Sequence, residues 1–194
     1  MPTKFPINSF PQLSGLPENV IPQMFAKWEP RVFKKKTIVV AAGKVANEVY
    51  FILTGCMRLY YEKEGKDISA YFFTEGSFAG AYDSFISRSP SRLNIEANEP
   101  CEVMAISYQN FQQLLIDFPQ MNELVRKVMD ERFISLHQLY TSLIIDTPEE
   151  RYLNLINTRP DLINRIPQHQ LATFLGVTSV SLSRIKNRVT KKQV

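Results

Sequence analysis

The sequence predicts an α+β protein with three parts. An N-terminal antiparallel β-roll of the double-stranded, jelly-roll type leads into a long helix and then a C-terminal helix-turn-helix. Three observations carry this. From Arg31 to Ile106 short β-branched and aromatic runs are punctuated by Gly43, Gly55, Gly65 and Gly76, at spacings of ten to twelve residues that suit strands joined by tight turns. From Pro119 to Ile145 the apolar residues recur at helical spacing. From Gln168 to Asn187 the chain reads QHQLATFLGVTSVSLSRIKN, with a small residue, a glycine and five apolar residues placed where two packed helices and their turn need them.

The segment Met1 to Pro30 carries Pro2, Pro6, Pro11, Pro17, Pro22 and Pro30, so it is read as a lead-in with room for one short helix around Gln23 to Trp28. Strands are expected at Thr37–Val40, Val49–Leu53, Met57–Tyr61, Ile68–Phe73, Leu93–Ala97 and Glu102–Ile106. Ser107 is a fitting N-cap for a helix with Phe111, Leu114 and Leu115 on one face, and Pro119 interrupts it.

The long helix then places Met121, Leu124, Val125, Val128, Met129, Phe133, Leu136, Tyr140 and Leu143 in a stripe wider than a roll alone needs. A subunit interface is the natural use of the surplus, with Val125, Val128, Phe133 and Leu136 near a two-fold axis. Thr147, Pro148 and Glu150 form a capping box with proline at the first helical position, so a new helix starts after a break at Asp146. That break is the expected hinge, and the domains fall at 1–118, 119–145 and 146–194.

In the helix-turn-helix, Leu171, Leu175, Val177, Leu182 and Ile185 are the core positions, and Ala172 lets the helices touch. Gly176 takes the turn's positive φ without steric cost, and Thr178 caps the second helix. Because Leu182 and Ile185 must face inward, Ser179, Val180, Ser183 and Arg184 lie on the face free to enter a major groove. Arg184 has the bidentate fork that suits guanine, whereas Val180 has at most a methyl contact to offer a thymine. Thr178, Lys186 and Arg188 fit phosphate contacts. Charge agrees: after Asp161 no acidic residue occurs, while Arg165, Arg184, Lys186, Arg188, Lys191 and Lys192 are basic.

Composition excludes other classes. The 44% hydrophobic and 22% charged residues of this 194-residue chain are those of a globular protein, and a net charge of +4 makes the basic character local. Apolar runs such as Ile38 to Ala42 stop at five residues, so neither a signal peptide nor a membrane span is expected, and the location is read as cytoplasmic. Cys56 and Cys101 are read as reduced, buried thiols. A metal-dependent jelly-roll enzyme needs a histidine cluster in its barrel, but the two histidines, His137 and His169, both follow the roll. No P-loop, nucleophile elbow or GxGxxG occurs, so no metal, cofactor or enzyme activity is expected.

Val49 to Gly55 (VYFILTG) with the strand after it, Glu75 to Gly80 (EGSFAG), Cys101 to Ser107 (CEVMAIS) and the helix-turn-helix together resemble the Crp/Fnr family of transcription regulators. The resemblance covers about Lys35 to Val189. It implies a homodimer joined through the long helix, an effector pocket in the roll for an unknown small molecule, a two-fold symmetric double-stranded DNA site, and contact with RNA polymerase.

Two departures matter. Members that bind cyclic nucleotide carry Gly-Glu before a short helix and Arg-Ser or Arg-Thr before Ala-x-Val-x-Ala; the Glu holds the ribose and the Arg the cyclic phosphate. Here Ala81 follows Gly80, and Ser91 stands at the Arg position. Neighbouring Arg92 does not substitute if strand alternation holds, because Ser91, Leu93, Ile95 and Ala97 then share the inner face and Arg92, Asn94 and Glu96 turn outward; a bulge at Pro90 reverses this. The second departure is at the end of the motif, where the family's β-hairpin wing is expected to be missing or very short.

The sequence therefore predicts a homodimeric DNA-binding regulator whose roll does not bind cyclic AMP, with pocket candidates Gly80, Ala81, Ser91 and Arg92. The alternative is a protein-interaction module whose pocket and DNA contacts have both decayed.

Overall fold

The computed structural model describes residues 21–192, and the proline-rich lead-in before them lies outside the described residues. The described residues cluster into two compact units: 21–60 with Phe72–Met129, and Tyr61–Tyr71 with 130–192.

The first unit is the expected antiparallel roll. The strands of the roll are β1 (Glu29–Phe33), β2 (Ile38–Val40), β3 (Glu48–Thr54), β4 (Met57–Lys63), β5 (Lys66–Phe73), β6 (Phe78–Ala79), β7 (Asn94–Ala97) and β8 (Cys101–Ser107), of which the stretch Tyr61–Tyr71 in β4 and β5 clusters with the second unit. They form two four-stranded sheets, ordered β1-β8-β3-β6 and β2-β7-β4-β5. The interior is dense with aromatic and aliphatic side chains: Phe51, Ile52, Phe72, Phe73, Ile95 and Val103 are essentially inaccessible.

Among the described residues this unit also holds the helices α1 (Ile21–Phe25), α2 (Tyr82–Ser87) and α3 (Tyr108–Asp117). The α1 segment begins two residues earlier and ends three residues earlier than the expected Gln23–Trp28 helix, and Trp28 follows it to pack on Phe78 at 6.0 Å, which in turn meets Phe51 at 5.2 Å. Phe85 of α2 packs edge-on against Tyr108 and Phe111 of α3, 5.4 Å from each ring. Ser107 caps α3 as expected, accepting from Asn110 N.

The roll begins two residues before the Arg31 that the sequence suggested. Strand β1 begins at Glu29 and pairs with β8 from Glu29↔Ala105 to Phe33↔Cys101. Pro30 conceals this strand from a reading by pattern, yet proline is tolerated at an edge, and β1 is the edge of its sheet. Gly55, by contrast, is obligatory. At φ +100°, a Cβ there would stand 2.5 Å from Pro100 O and 2.6 Å from Cys101 Sγ.

Within the second unit the hairpin of β4 and β5 turns at Glu64 and Gly65, both at positive φ, as a two-residue turn matched to strand twist requires. Helix α4 (Met121–Ile145) buries Met121 and Leu124 near its start. Further along, Phe133, Leu136, Tyr140 and Ile144 are exposed. Beyond it lie α5 (Pro148–Thr158), α6 (Pro160–Arg165), α7 (Gln168–Phe174) and α8 (Ser179–Lys192). The capping box at the start of α5 is complete: Thr147 N donates to Glu150 Oε2 at 2.7 Å, and Glu150 N donates to Thr147 Oγ1 at 3.3 Å.

Candidate nucleic-acid interface

Helices α7 and α8 enclose the motif's core. Leu171, Ala172, Leu175, Leu182 and Ile185 are all at most 4% exposed, and Val189 joins them at 5%. Val177 is only half-buried, because it sits in the turn and not in either helix. The turn is a Schellman closure: Val177 N donates to Ala172 O at 2.9 Å and Gly176 N to Thr173 O at 3.1 Å, with Gly176 at φ +68°. Thr178 then caps α8, its hydroxyl accepting from Ser181 N at 3.1 Å and donating to Ser181 Oγ at 3.0 Å. The side-chain amide of Gln168 spans the motif to donate to Ser179 O at 3.2 Å.

The opposite face is open. Ser179, Val180, Ser183 and Arg184 are exposed, as helix periodicity demands once Leu182 and Ile185 point inward. Lys186 is half-buried, and Arg188 is exposed with Nη1 3.6 Å from the carboxylate of Glu149. α8 continues through Lys192, so the residues after Val189 prolong the helix and form no strand among the described residues. The segment between α5 and α7 holds the short helix α6, which the sequence reading missed; Arg159 and Pro160 set its start, and it buries Leu162.

Sequence reasoning also missed Arg151, Ser69 and Thr173. Arg151 Nε donates to Leu175 O at 2.9 Å and Nη1 to Asp146 O at 2.6 Å. Thr173 Oγ1 accepts from Ser69 N at 3.1 Å, so the β4–β5 hairpin reaches the first helix of the motif. Near by, the Arg132 guanidinium lies over the Tyr71 ring at 3.7 Å. Burial holds the pKa of Arg132 below its ordinary value, against the opposing pull of Tyr71. The one cue in the sequence was the position of Arg151, one residue after the capping box.

In the roll, Ala81 and Ser91 are buried and Arg92 is exposed, while Leu93, Ile95 and Ala97 are buried. Alternation holds: Pro90 bridges Val45 without turning Arg92 inward. Ser91 is committed to its own chain. Its hydroxyl accepts from Leu93 N at 3.1 Å and donates to Leu93 O at 2.9 Å, and its N–H donates to Lys44 O at 2.8 Å. Arg88, at φ 55°, is equally engaged: Nη1 donates to Ala46 O at 2.8 Å, Nη2 to Asn47 Oδ1 at 2.6 Å, and the guanidinium stacks 4.3 Å from the Tyr108 ring. Gly80 packs closely on Val49, whose Cγ1 is 2.9 Å from where a Cβ would stand.

Residues 30–117 match the cyclic nucleotide-binding domain family. The chain is 23% identical over 164 residues to the cAMP-activated global transcriptional regulator CRP of Salmonella typhimurium, a match covering 79% of this chain and 78% of that one. To the protein of the same name from Pasteurella multocida it is 29% identical over 84 residues, 43% of this chain and 40% of the other. A putative transcriptional regulator of the Crp/Fnr family from Eubacterium rectale superposes with a TM-score of 0.73 at 18% identity, covering 95% of this chain and 88% of that one. The chain thus carries a cyclic nucleotide-binding domain over residues 30–117 and is similar, over most of its length, to regulators of the Crp/Fnr type. No helix among the described residues is long and apolar enough to cross a membrane.

Proposed function

We propose that this chain is a sequence-specific DNA-binding regulator of the Crp/Fnr type that acts as a homodimer and does not bind cyclic AMP. The observation that carries the reading is the face of α8. A correctly closed turn and a buried Leu182–Ile185–Val189 stripe leave Ser179, Val180, Ser183 and Arg184 exposed together. In this reading those residues contact bases, while Thr178, Lys186 and Arg188 contact phosphates. The exposed Phe133, Leu136 and Tyr140 support α4 as the dimer helix, with Val125 and Val128, both half-buried, continuing its stripe. Residues 1–118, 119–145 and 146–194 then serve as sensor-like roll, dimer helix and DNA-reading domain.

The cassette supports the negative half of the reading, because the Ser91 hydroxyl is bonded to Leu93 and the Arg88 guanidinium is already held by Ala46 O and Asn47 Oδ1. If a small effector enters the roll, Gly80, Ala81 and Ser91 are the nearest candidates, and a neutral molecule suits them better than an anion. The regulator acts on chromosomal DNA and is therefore placed in the cytoplasm, with RNA polymerase as a partner by family likeness. An electrophoretic mobility shift against random-site DNA over a salt series tests the reading: a retarded complex that weakens steeply with salt is expected, and no complex at low salt contradicts it.

A further inference from the structure

We infer that Arg151 is the positioning residue that fixes the separation at which the two DNA-reading heads of a dimer meet their half-sites. The inference rests on the DNA-binding reading above and deepens it. Arg151 stands on the first turn of α5, directly after the capping box, with its own N–H bonded to Thr147 O at 3.0 Å. Its side chain does not point to solvent. Nη1 donates to Asp146 O at 2.6 Å, just past the C-terminus of α4, and Nε donates to Leu175 O at 2.9 Å, at the C-cap of α7.

Both acceptors are carbonyls at the negative end of a helix, where the ladder leaves them without an intrahelical partner and where a cation is favoured. One rigid fork therefore ties three helices together: α5, which carries it, the end of α4 and the turn of the motif. The turn itself lies against the same junction. A Cβ on Gly176 would stand 3.6 Å from Leu143 Cδ2 of α4 and 3.7 Å from Arg151 Nη2. The angle between the end of α4 and the α7–α8 pair is thus set by a planar, charge-assisted bridge and not by a flexible linker.

If α4 carries the two-fold axis, the distance from that axis to each α8 follows from this angle. Half-sites in such dimers sit about one helical turn of DNA, ~10 base pairs, apart. A head free to swing would accept several spacings with the same base preferences. Arg151 touches no base and faces away from the reading surface of α8, so its loss should alter spacing and leave half-site sequence alone.

The test uses the full chain and a DNA library that places two copies of the half-site enriched by the wild type at every spacer length through one helical turn. The wild type is expected to enrich one spacing sharply. For Arg151→Ala the ratio of the best spacing to its neighbours should fall about tenfold, with the half-site bases unchanged. Arg151→Lys keeps the charge and the stem but not the fork, and should broaden the preference by a smaller factor; it decides the matter alone if Arg151→Ala does not fold. Folded variants that keep the wild-type sharpness overturn the role of Arg151 and leave the DNA-binding reading standing. A wild type that enriches no half-site at all overturns both.

Discussion

Ser69 and Thr173, 104 residues apart in sequence, share two hydrogen bonds: Ser69 N donates to Thr173 Oγ1 at 3.1 Å, and the two hydroxyls lie 3.0 Å apart. Ser69 is 3% exposed, so its N–H has no access to water if Thr173 is changed. Thr173→Val preserves shape and removes the hydroxyl. It is expected to destabilise by about 1–3 kcal/mol, the cost of a buried donor left unmade. Chemical denaturation reads this as a lower midpoint at constant slope, and an unchanged midpoint would show that the contact contributes nothing.

The dimer assignment is tested by charge. Leu136 is 44% exposed on α4, and Phe133 is 72% exposed one turn earlier. Leu136→Asp should leave the monomer fold intact, because an aspartate at this exposed position keeps access to water in the monomer, yet desolvating a carboxylate at a two-fold axis should disrupt assembly. Sedimentation should show a dimer for the wild type and a monomer for the variant at micromolar concentration. A dimer in both would place the interface elsewhere.

These elements differ in how far the sequence disclosed them. The helix-turn-helix was legible to the residue because its determinants are local: Gly176 closes a turn with Ala172 and Thr173, and Thr178 caps the helix that starts beside it. Most strands of the roll were legible through their punctuating glycines, although β1 was missed where Pro30 mimics a linker and the two-residue β6 was too short to leave a pattern. The contacts of Arg151 and Ser69 were not legible, although the capping box did place Arg151 on α5. Their partners lie 24 and 104 residues away, and a single polar contact at that distance leaves no periodic trace in sequence. The inward placement of Ser91 and outward placement of Arg92 were read correctly, because strand alternation is itself a local rule.

Cyclic AMP is expected not to bind tightly. Loss of the bidentate guanidinium and of the ribose-binding carboxylate together weakens affinity by several kcal/mol, on the order of a thousandfold. Calorimetric titration should show no micromolar binding. A micromolar or tighter dissociation constant would mean that Arg88 leaves its bonds to Ala46 and Asn47 to meet the phosphate.

The capping box of α5 carries a pH signature. The Thr147 N–H, followed by its hydroxyl, holds the Glu150 carboxyl below its ordinary value of 4.5. A depressed carboxylate contributes stability that is present above pH 4.5 and lost as the pH falls through its lower folded value. A carbon-detected NMR titration should place the Glu150 midpoint below 4.5, and Thr147→Ala should move it upward. The same midpoint in both proteins would mean that the box does not form in solution.

The central claim, that α8 reads DNA sequence, is tested most directly by selection from a fully randomised duplex library with the wild type and Arg184→Ala side by side. Lys186→Ala serves as the control for phosphate contact: it should weaken all sequences alike and lower the salt slope by about one unit. The account predicts that the wild type enriches a two-fold symmetric site, and that Arg184→Ala loses about 1–3 kcal/mol of preference at one base pair of each half-site while the rest of the site is unchanged. Equal enrichment of the same half-site by both proteins would contradict the role of Arg184, and enrichment of no site by the wild type would contradict the account as a whole.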